Sequence, residues 1–209
     1  MQELLTGKKR LPGFSGEWEV KRLGEIASIQ RGASPRPIDS PEWFDNNSNI
    51  GWVRISDVTP SAIFLQETTQ RLSASGVQQS RPVKRGSLIM SICATVGRPV
   101  ITDIDTCIHD GFVVFDDLAL DQRFLYYFLK FIENDWAKHG QTGSQMNLNT
   151  PLINRTLIPK PSTLEQTAIA TILSDMDTEL AELQSRLAKA RQIKQGMMQE
   201  LLTGRIRLL

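Results

Sequence analysis

The feature that most constrains the fold is a long stretch without proline that begins near Ser162 and carries a heptad pattern of apolar residues. The spacing of these positions alternates between four and three residues, which is the pattern of a coiled-coil core. One position of this seam, Lys194, is polar, and Ile193 beside it can partly cover it. The seam positions are Ile169, Leu173, Met176, Leu180, Leu183, Leu187, Ala190, Lys194, Met197 and Leu201.

This seam predicts a helix that needs a second helix beside it. A helix from Leu164 to Leu202 would be about 58 Å long at roughly 1.5 Å per residue. A helix that docks on its own domain usually has a wider apolar stripe, whereas this seam stays narrow over its whole length. Because the rest of the sequence offers no second long helix, we expect the partner helix to come from another chain.

The start of the long helix is marked by a capping pattern. Ser162 or Thr163 is a suitable N-cap residue, and Glu165 or Gln166 three positions later completes a capping box. A cap at this point predicts that the helix begins here.

Residues 13–161 have a different texture, with short apolar runs separated by Gly, Pro, Ser and Asn, as is typical of strands, turns and short helices. Pro159 and Pro161 mark the end of this region, because the helix that begins near Ser162 cannot extend toward the N-terminus through proline. The predicted fold class is α+β: a globular mixed α/β domain (13–161) followed by one long C-terminal coiled-coil helix (162–209). The predicted elements are strands at Ile26–Gln30, Trp52–Ile55, Leu88–Ile92, Pro99–Thr102 and Gly111–Phe115, and an amphipathic helix at Arg123–His139.

A stretch of seven residues occurs twice. Met1–Gly7 reads Met-Gln-Glu-Leu-Leu-Thr-Gly and recurs identically as Met198–Gly204. An accident of cloning would explain the copy. The alternative, which we favour, is that the sequence spans one unit of a tandem array, from the last turn of one repeat to the last turn of the next. Residues 1–12 are then expected to be the remnant of a preceding repeat.

The composition limits the function classes. The sequence has 24 Lys and Arg against 23 Asp and Glu, so any surface for nucleic acid must be local. Cys93 and Cys107 lie in apolar or strand-like segments and no secretory leader is evident, which favours reduced thiols in a cytoplasmic protein, with a disulfide as the alternative. No apolar run reaches about 18 residues, so we expect no membrane span.

Six short motifs follow one another in a recognisable order. They are Trp18 with Leu23–Ile26, then Ile50–Val58, Arg85–Ser91, Gly140–Leu148, Ile158–Leu173 and Lys194–Gly204. The fifth contains Ile-Pro-Lys-Pro followed by Glu-Gln, and the sixth ends in Leu-Leu-Thr-Gly. Each motif is modest alone, but in this order they cover nearly the whole chain. Together they resemble the DNA-specificity subunits of type I restriction–modification enzymes.

The resemblance implies a non-catalytic subunit that recognises double-stranded DNA and directs modification (methyltransferase) subunits, and through them restriction subunits, to a bipartite target. The family's full-length subunit has two tandem units, each a target-recognition domain followed by a helical region, and this sequence carries one. If one unit acts alone, two copies are expected to pair their long helices antiparallel as a homodimer. Their target would then be palindromic, because the protein's symmetry is imposed on the half-sites.

Charge is segregated along the globular region. Residues 70–102 and 136–164 contain Lys and Arg but no acid, whereas residues 103–121 contain six aspartates and no base. This pattern predicts that the first two stretches face phosphates and that the aspartates face elsewhere. An ordinary solvated surface is the alternative.

Loops supply the candidate contacts to bases and phosphates. Three residues have open alternatives: Asn147 and Asn149 are equally suited to closing turns, and Arg54 to an ion pair with Asp57 or Asp45. The predicted DNA-binding residues are Arg31, Ser34 and Arg36 in a Gly- and Pro-rich loop, Arg81 and Lys84 in the acid-free stretch, Thr95 and Arg98 at a strand turn, and Gln141, Thr142, Ser144, Gln145 and Asn147 after the amphipathic helix.

No catalytic constellation is evident in the sequence. It lacks a phosphate-binding loop with Gly and Lys, the Asn/Asp-Pro-Pro-Tyr segment of amino-methyltransferases, and paired carboxylates with a nearby Lys. The cysteines and histidines lack zinc spacing, and the aspartates of residues 103–121 fit strand edges and loops better than a metal site. We therefore expect no cofactor and no metal. The alternative function is a coiled-coil assembly scaffold whose globular head binds protein and not DNA.

Overall fold

The computed structural model describes residues 1–139 and 148–205. Contacts divide the chain into a globular unit, Met1–Ile169, and a second unit that begins at Ala170. The α+β class is confirmed, since mixed sheets and short helices precede one long C-terminal helix. The globular unit defined by contacts includes residues 1–12 and the first residues of the long helix.

Two mixed sheets form the globular unit, with strands numbered in chain order. In spatial order, the larger sheet contains β2 (Ser28–Arg31), β10 (Phe112–Asp116), β7 (Leu88–Ser91), β8 (Pro99–Thr102) and β4 (Phe64–Leu65), and the smaller contains β5 (Gln70–Arg71), β3 (Gly51–Val53), β9 (Thr106–Ile108) and β6 (Arg81–Val83). Neighbouring strands are antiparallel except for two parallel pairs, β4 with β8 and β3 with β9.

The two sheets share one hydrophobic core. Val53 and Ile108 of the smaller sheet belong to the same buried cluster as Ile89, Val100 and Phe112 of the larger sheet. All residues of β7 and β8 are buried, which explains why three apolar residues in a row begin each strand before a polar residue ends it. Their bounds agree with the predicted strands to within one residue.

In residues 1–139 and 148–205, seven short helices precede the long one. The predicted helix over residues 123–139 is two helices that meet at Ile132. The Asp121 carboxylate caps the first of them by accepting from the backbone N–H groups of Arg123 and Phe124 at 2.9 and 3.0 Å. The helices are α1 (Gln2–Leu5), α2 (Leu23–Ile26), α3 (Ile55–Val58), α4 (Ala74–Gln78), α5 (Gln122–Phe131), α6 (Glu133–His139) and α7 (Thr150–Arg155), and a 3-10 turn lies at Pro41–Trp43.

A two-stranded ribbon precedes the long helix. Strand β1 (Glu19–Arg22) pairs antiparallel with β11 (Leu157–Lys160), and Pro159 lies opposite Val20. Proline is tolerated here because β11 has a single neighbouring strand and so needs no donor on its other side. Pro159 therefore lies within an edge strand, and Pro161 follows that strand directly.

The long helix α8 (Thr163–Leu202) begins where the capping pattern predicts. Ser162 Oγ accepts from the Glu165 backbone N–H at 3.3 Å, so Ser162 is the N-cap residue. The Glu165 side chain does not return to the cap. Its two carboxylate oxygens accept from Arg10 at 2.6 and 2.8 Å, and Trp18 Nε1 donates to it at 3.0 Å.

Gln166 anchors the same turn of α8. Its side-chain oxygen accepts from Asp121 N at 2.8 Å, and its amide nitrogen donates to Pro161 O at 2.7 Å. Glu165 and Gln166 are both buried, so the Glu-Gln pair fixes the first turn of α8 onto the globular unit.

The two copies of the repeated segment have the same local structure. Both end in a glycine with positive φ, +70° at Gly7 and +68° at Gly204. In both copies the threonine hydroxyl donates to the glutamine carbonyl four residues earlier, Thr6 to Gln2 and Thr203 to Gln199. Their burial differs sharply, because Leu5 is fully buried whereas the equivalent Leu202 is 81% exposed.

Most of the seam positions are exposed. Ile169 and Leu173 are buried, whereas Met176, Leu180, Leu183, Leu187 and Met197 are 50–59% exposed. Ala190 and Lys194 are also exposed, and Leu201 is partly so. The described residues contain no helix that is long and apolar enough to cross a membrane.

Candidate nucleic-acid interface

The loop after β2 packs directly onto the turn between β9 and β10. Arg31 lies opposite Val113 in the sheet, Gly32 N donates to Phe112 O at 2.9 Å, and Ala33 N donates to Ile108 O at 3.1 Å. A Cβ atom on Gly32 would lie 2.1 Å from the backbone oxygen of His109. Glycine is therefore required at residue 32 for the two segments to approach this closely.

Asp110 is the centre of this contact. Its carboxylate accepts from Ser34 Oγ at 2.8 Å and from Arg36 Nη2 at 3.4 Å, and its backbone oxygen accepts from Arg31 Nε at 2.6 Å. The structure thus brings together the three residues that the sequence predicted in this loop. We call Arg31, Ser34, Arg36, His109 and Asp110 the Asp110 cluster.

The electrostatics of the cluster keep Asp110 ionised. Partial burial alone would raise the pKa of this carboxyl. The Ser34 hydrogen bond and the positive charges of protonated His109, Arg36 and Arg31 outweigh burial and hold the pKa below its usual value. At neutral pH the cluster therefore contains two guanidinium groups around one carboxylate.

His109 joins the cluster to the core. Its ring contacts Trp52 and Phe112, with centroids 5.9 and 4.9 Å apart, and Gly111 N donates to its Nδ1 at 2.8 Å. Burial, above all, lowers the pKa of His109, and the positive charges of Arg54 and Arg31 lower it further. The imidazole is therefore neutral at pH 7.

Arg81 supports the same loop from the strand β6. Its Nε donates to Arg31 O at 2.6 Å, and its Nη1 donates to the Gln30 side chain. Ser80 Oγ donates to Ala33 O at 2.8 Å. The predicted residue Arg81 therefore lies beside Arg31, with part of its donor capacity used to hold the backbone of the loop.

Lys84 lies at the other end of β6, away from the Asp110 cluster. It is exposed, and its neighbour Arg85 forms an ion pair with Asp103 at 2.7 Å and donates its backbone N–H to Asp105 at 2.9 Å. The expectation that the aspartates of residues 103–121 face away from the basic stretches is wrong. Asp103 pairs with Arg85 because β6 and β9 are neighbours, and Asp110 pairs with Arg36 because β10 is a neighbour of β2.

The turn between β7 and β8 contains Thr95 and Arg98. Thr95 is partly exposed, and its backbone oxygen accepts from Ser91 Oγ. Arg98 donates to the backbone oxygens of Thr59 and Ser61 at 3.1 and 3.4 Å, and lies 3.6 Å from a carboxylate oxygen of Glu133. These contacts hold the Arg98 guanidinium within its own domain, and its contact with DNA stays a prediction.

Gln141, Thr142, Ser144, Gln145 and Asn147 lie outside the described residues, so their role remains a prediction. The residues that follow them are described. Leu148 N donates to Ile92 O at 2.9 Å, which attaches the end of this segment beside the Thr95 turn. Asn149 caps α7 by accepting from Leu152 N at 2.9 Å, so it has the helix-capping role and not the base-reading one.

The Arg54 side chain forms neither of the two ion pairs that the sequence offered for it. The Arg54 backbone N–H donates to Asp57 at 2.9 Å, but its side chain donates to Gln70 at 2.8 Å and forms no ion pair with Asp57 or Asp45.

Cys93 and Cys107 are free thiols, and burial raises the pKa of Cys107 to about 11. The described residues contain no group of His, Cys, Asp and Glu side chains that could hold a metal ion.

Sequence reasoning missed Asp110 and His109 as members of the site. The signal was in the pairing of strands: a turn directly before β10 must lie beside the end of β2 if these strands are antiparallel neighbours. The linear charge pattern contained no information on this neighbourhood.

Comparisons with known proteins agree with this architecture. A family model described as the type I restriction modification DNA specificity domain matches residues 15–192. The MjaVIII specificity subunit of a type I restriction enzyme from Methanocaldococcus jannaschii is 26% identical, covering 96% of this chain and 49% of the relative. The EcoprrI specificity subunit from Escherichia coli is 25% identical, covering 77% and 40%.

A solved structure has the same fold. The HsdS subunit from Thermoanaerobacter tengcongensis superposes with a TM-score of 0.68 at 21% identity, over 95% of this chain and 48% of that chain. The chain thus spans about half the length of the relatives that it matches. Because the family model covers most of its residues, the chain belongs to the type I restriction modification DNA specificity domain family.

Proposed function

We propose that the globular unit recognises double-stranded DNA in a sequence-specific manner, and that the chain acts as a specificity subunit of a type I restriction–modification complex. The observation that carries this proposal is the Asp110 cluster with Arg81 beside it. Three guanidinium groups and a hydroxyl lie on one loop–strand edge, with the side chains of Arg31 and Arg36 exposed to solvent. Arginine suits both guanine edges and phosphates.

The chain itself is proposed to carry out no catalysis and to need no cofactor. Methylation and cleavage would belong to modification (methyltransferase) subunits and restriction subunits that the long helix helps to assemble. We expect the complex to be cytoplasmic, because its DNA target lies in the cytoplasm. The alternative, an assembly scaffold whose head binds protein, shares the helix but predicts no DNA affinity for the globular unit.

Salt dependence separates the two functions. The purified chain, alone and with its modification subunit, is titrated against a mixed-sequence DNA duplex from low to physiological salt. A recognition domain loses affinity steeply as salt rises, because each neutralised phosphate releases counterions. Binding that is absent in both preparations at every salt concentration would support the scaffold and refute DNA recognition.

The long helix is proposed to pair antiparallel with the helix of a second copy. The support is the seam of half-exposed apolar side chains from Met176 to Met197 and the exposed Leu202 in the C-terminal copy of the repeat. Burying such a seam is the usual driving force for coiled-coil assembly. An antiparallel pair would place two recognition domains at opposite ends of the helices, and their target would be a split palindrome.

Sedimentation analysis tests the pairing. We expect the wild-type chain to be a dimer at micromolar concentration, and Leu183→Asp with Leu187→Asp to be a monomer, because two charges would face the partner seam. Ser185→Asp, on the same exposed helix but outside the seam, should remain a dimer. A wild-type chain that is monomeric would refute self-pairing.

Methylome sequencing of cells that carry this chain with its modification subunit tests target symmetry. A methylated split palindrome is the expected result. An asymmetric motif would show that a different second recognition domain is used.

A further inference from the structure

The Asp110 carboxylate lies where a DNA-binding surface should avoid negative charge. Its side chain is 42% exposed, so it is open to solvent and not simply part of the core. A carboxylate at such a position repels phosphates and weakens non-specific binding. Its presence among arginines needs an explanation in terms of what those arginines contact.

Arg31 is held in one orientation by this turn. Its Nε donates to the backbone oxygen of Asp110 at 2.6 Å, and in the described ranges neither of its terminal nitrogens has a protein acceptor. The two terminal N–H groups therefore form a free fork at the end of the side chain. Such a fork matches the O6 and N7 acceptors of guanine.

The backbone beneath Arg31 is fixed as well. Arg31 O accepts from Arg81 Nε at 2.6 Å, and the following residue, Gly32, donates its backbone N–H to Phe112 O at 2.9 Å. Ser34 Oγ ties the next part of the loop to the Asp110 carboxylate at 2.8 Å. A side chain that is ordered before binding loses little conformational entropy when DNA arrives, which favours precise base contact.

Guanine and phosphate differ in charge, so the Asp110 carboxylate affects their contact with Arg31 differently. The guanine edge offers two neutral acceptors, whereas a phosphate carries a full negative charge. A carboxylate beside Arg31 repels the phosphate and leaves the contact with guanine largely unaffected. The low pKa of Asp110 means that this charge is present at neutral pH.

We propose that Arg31 reads a guanine of the DNA target through its two terminal nitrogens, and that Asp110 is the positioning residue that orients Arg31 and disfavours its contact with phosphate. This inference rests on the proposed DNA-recognition function. It identifies the position in the loop where base specificity resides, and it gives the single acid of the site a role.

The test compares Asp110→Asn with Asp103→Asn in the full chain. Both changes remove one negative charge from a similarly exposed aspartate that is paired with an arginine, and the two residues lie on opposite sides of β9 in the sequence. Each protein selects duplexes from a library with randomised sequence, and its affinity for a fixed non-selected duplex is measured. Thermal unfolding followed by circular dichroism verifies the fold of each variant.

For Asp110→Asn we expect two opposite changes. The preference for guanine at one position of the selected motif falls by about tenfold, the range of a bidentate base contact. The backbone oxygen of residue 110 still holds Arg31, but no carboxylate charge disfavours the contact of Arg31 with phosphate. Affinity for the non-selected duplex rises by about threefold at low salt, because one repulsive charge near the phosphates is lost. Asp103→Asn keeps the base preference of the wild type. Loss of structure alone would lower both quantities, so the opposite signs identify positioning.

Arg31→Lys provides a second measurement if Asp110→Asn does not fold. Lysine keeps the charge but lacks the fork, so we expect the same guanine preference to be lost while non-specific affinity changes little. An unchanged base preference in Arg31→Lys, or in a folded Asp110→Asn, would overturn this inference and leave DNA recognition standing. A wild-type chain that selects no sequence would instead refute the proposed function.

Discussion

The ion pair between Arg10 and Glu165 gives the most direct test of how the N-terminal segment contributes to the globular unit. Both Arg10 donors that face the carboxylate lie within 2.8 Å of its oxygens, and Glu165 is 2% exposed whereas Arg10 is 26% exposed. The Arg10 guanidinium also lies 5.3 Å from the ring centroid of Trp18. Arg10→Ala would therefore leave a buried carboxylate with Trp18 Nε1 as its remaining side-chain donor.

The expected loss of stability in Arg10→Ala follows from the burial of Glu165. Removing one partner of a buried ion pair costs about 3–5 kcal/mol, because the other charge stays desolvated. Water can enter where the partly exposed Arg10 side chain was, and Trp18 still donates, so the lower end of this range applies. We expect Arg10→Ala to lower the free energy of unfolding by about 3 kcal/mol. For a chain of this size that corresponds to a fall in Tm of roughly 6–12 °C.

Urea unfolding followed by circular dichroism measures this loss. Arg205→Ala is the matched control, because its ion pair with Glu200 is long, at 3.3 Å, and its side chain is 73% exposed. We expect the control to change the free energy of unfolding by less than about 0.5 kcal/mol. Adding Glu165→Gln to Arg10→Ala should recover at least about 1 kcal/mol, since the unpaired charge is removed. An Arg10→Ala variant as stable as Arg205→Ala would refute this account of the buried pair.

Two further predictions concern the turns around the candidate site. Gly97→Ala should destabilise the fold by about 3 kcal/mol or more in thermal unfolding, because residue 97 has φ +82° and the new Cβ would lie 2.2 Å from Trp136 Cδ1. The control Gly86→Ala has φ +88° but open space around it, so it should cost only about 1 kcal/mol in the same assay. Equal losses of stability in the two variants would contradict the steric argument. Burial lowers the pKa of His109, so the folded protein disfavours protonation of this residue. Its contribution to stability is therefore complete above about pH 6.5, the ordinary pKa of histidine, and is lost as the pH falls below that value toward the folded pKa. Urea unfolding from pH 8 to pH 5 should show a smaller acid-side loss for His109→Gln than for the wild type, and parallel curves would exclude His109 as the cause.

The sequence predicted those parts of the molecule that local pattern determines. The heptad seam gave the long helix to within one residue at each end, and Ser162 is its cap. Strands β7, β8 and β10 were found because all or nearly all of their residues are buried, and three or four apolar residues follow one another in each. Strands β6 and β9 were missed, since each has only three residues and neither shows a periodic pattern.

Contacts between segments that are distant in sequence could not be predicted in this way. Arg31, Ser34 and Arg36 were expected to face DNA, and the structure places them together, but the acid that organises them was assigned to another face. The reason is register: Arg31 lies opposite Val113, which brings residue 110 beside the loop. Linear charge segregation carries no information on strand pairing, so a stretch without acids does not imply a surface without acids.

The two copies of the repeated segment also show that local sequence determines local structure but not contacts with distant residues. Met1–Gly7 and Met198–Gly204 are identical in sequence and share the glycine with positive φ and the threonine–glutamine hydrogen bond, so seven residues suffice to encode the end of a helix. They do not encode burial. A Cβ atom on Gly7 would lie 3.3 Å from Trp18 and Leu5 is buried, whereas nothing lies within 4 Å of a Cβ at Gly204 and Leu202 is exposed. Burial depends on the domain that follows the first copy, so sequence identity between repeats predicts equal local structure but not equal contacts.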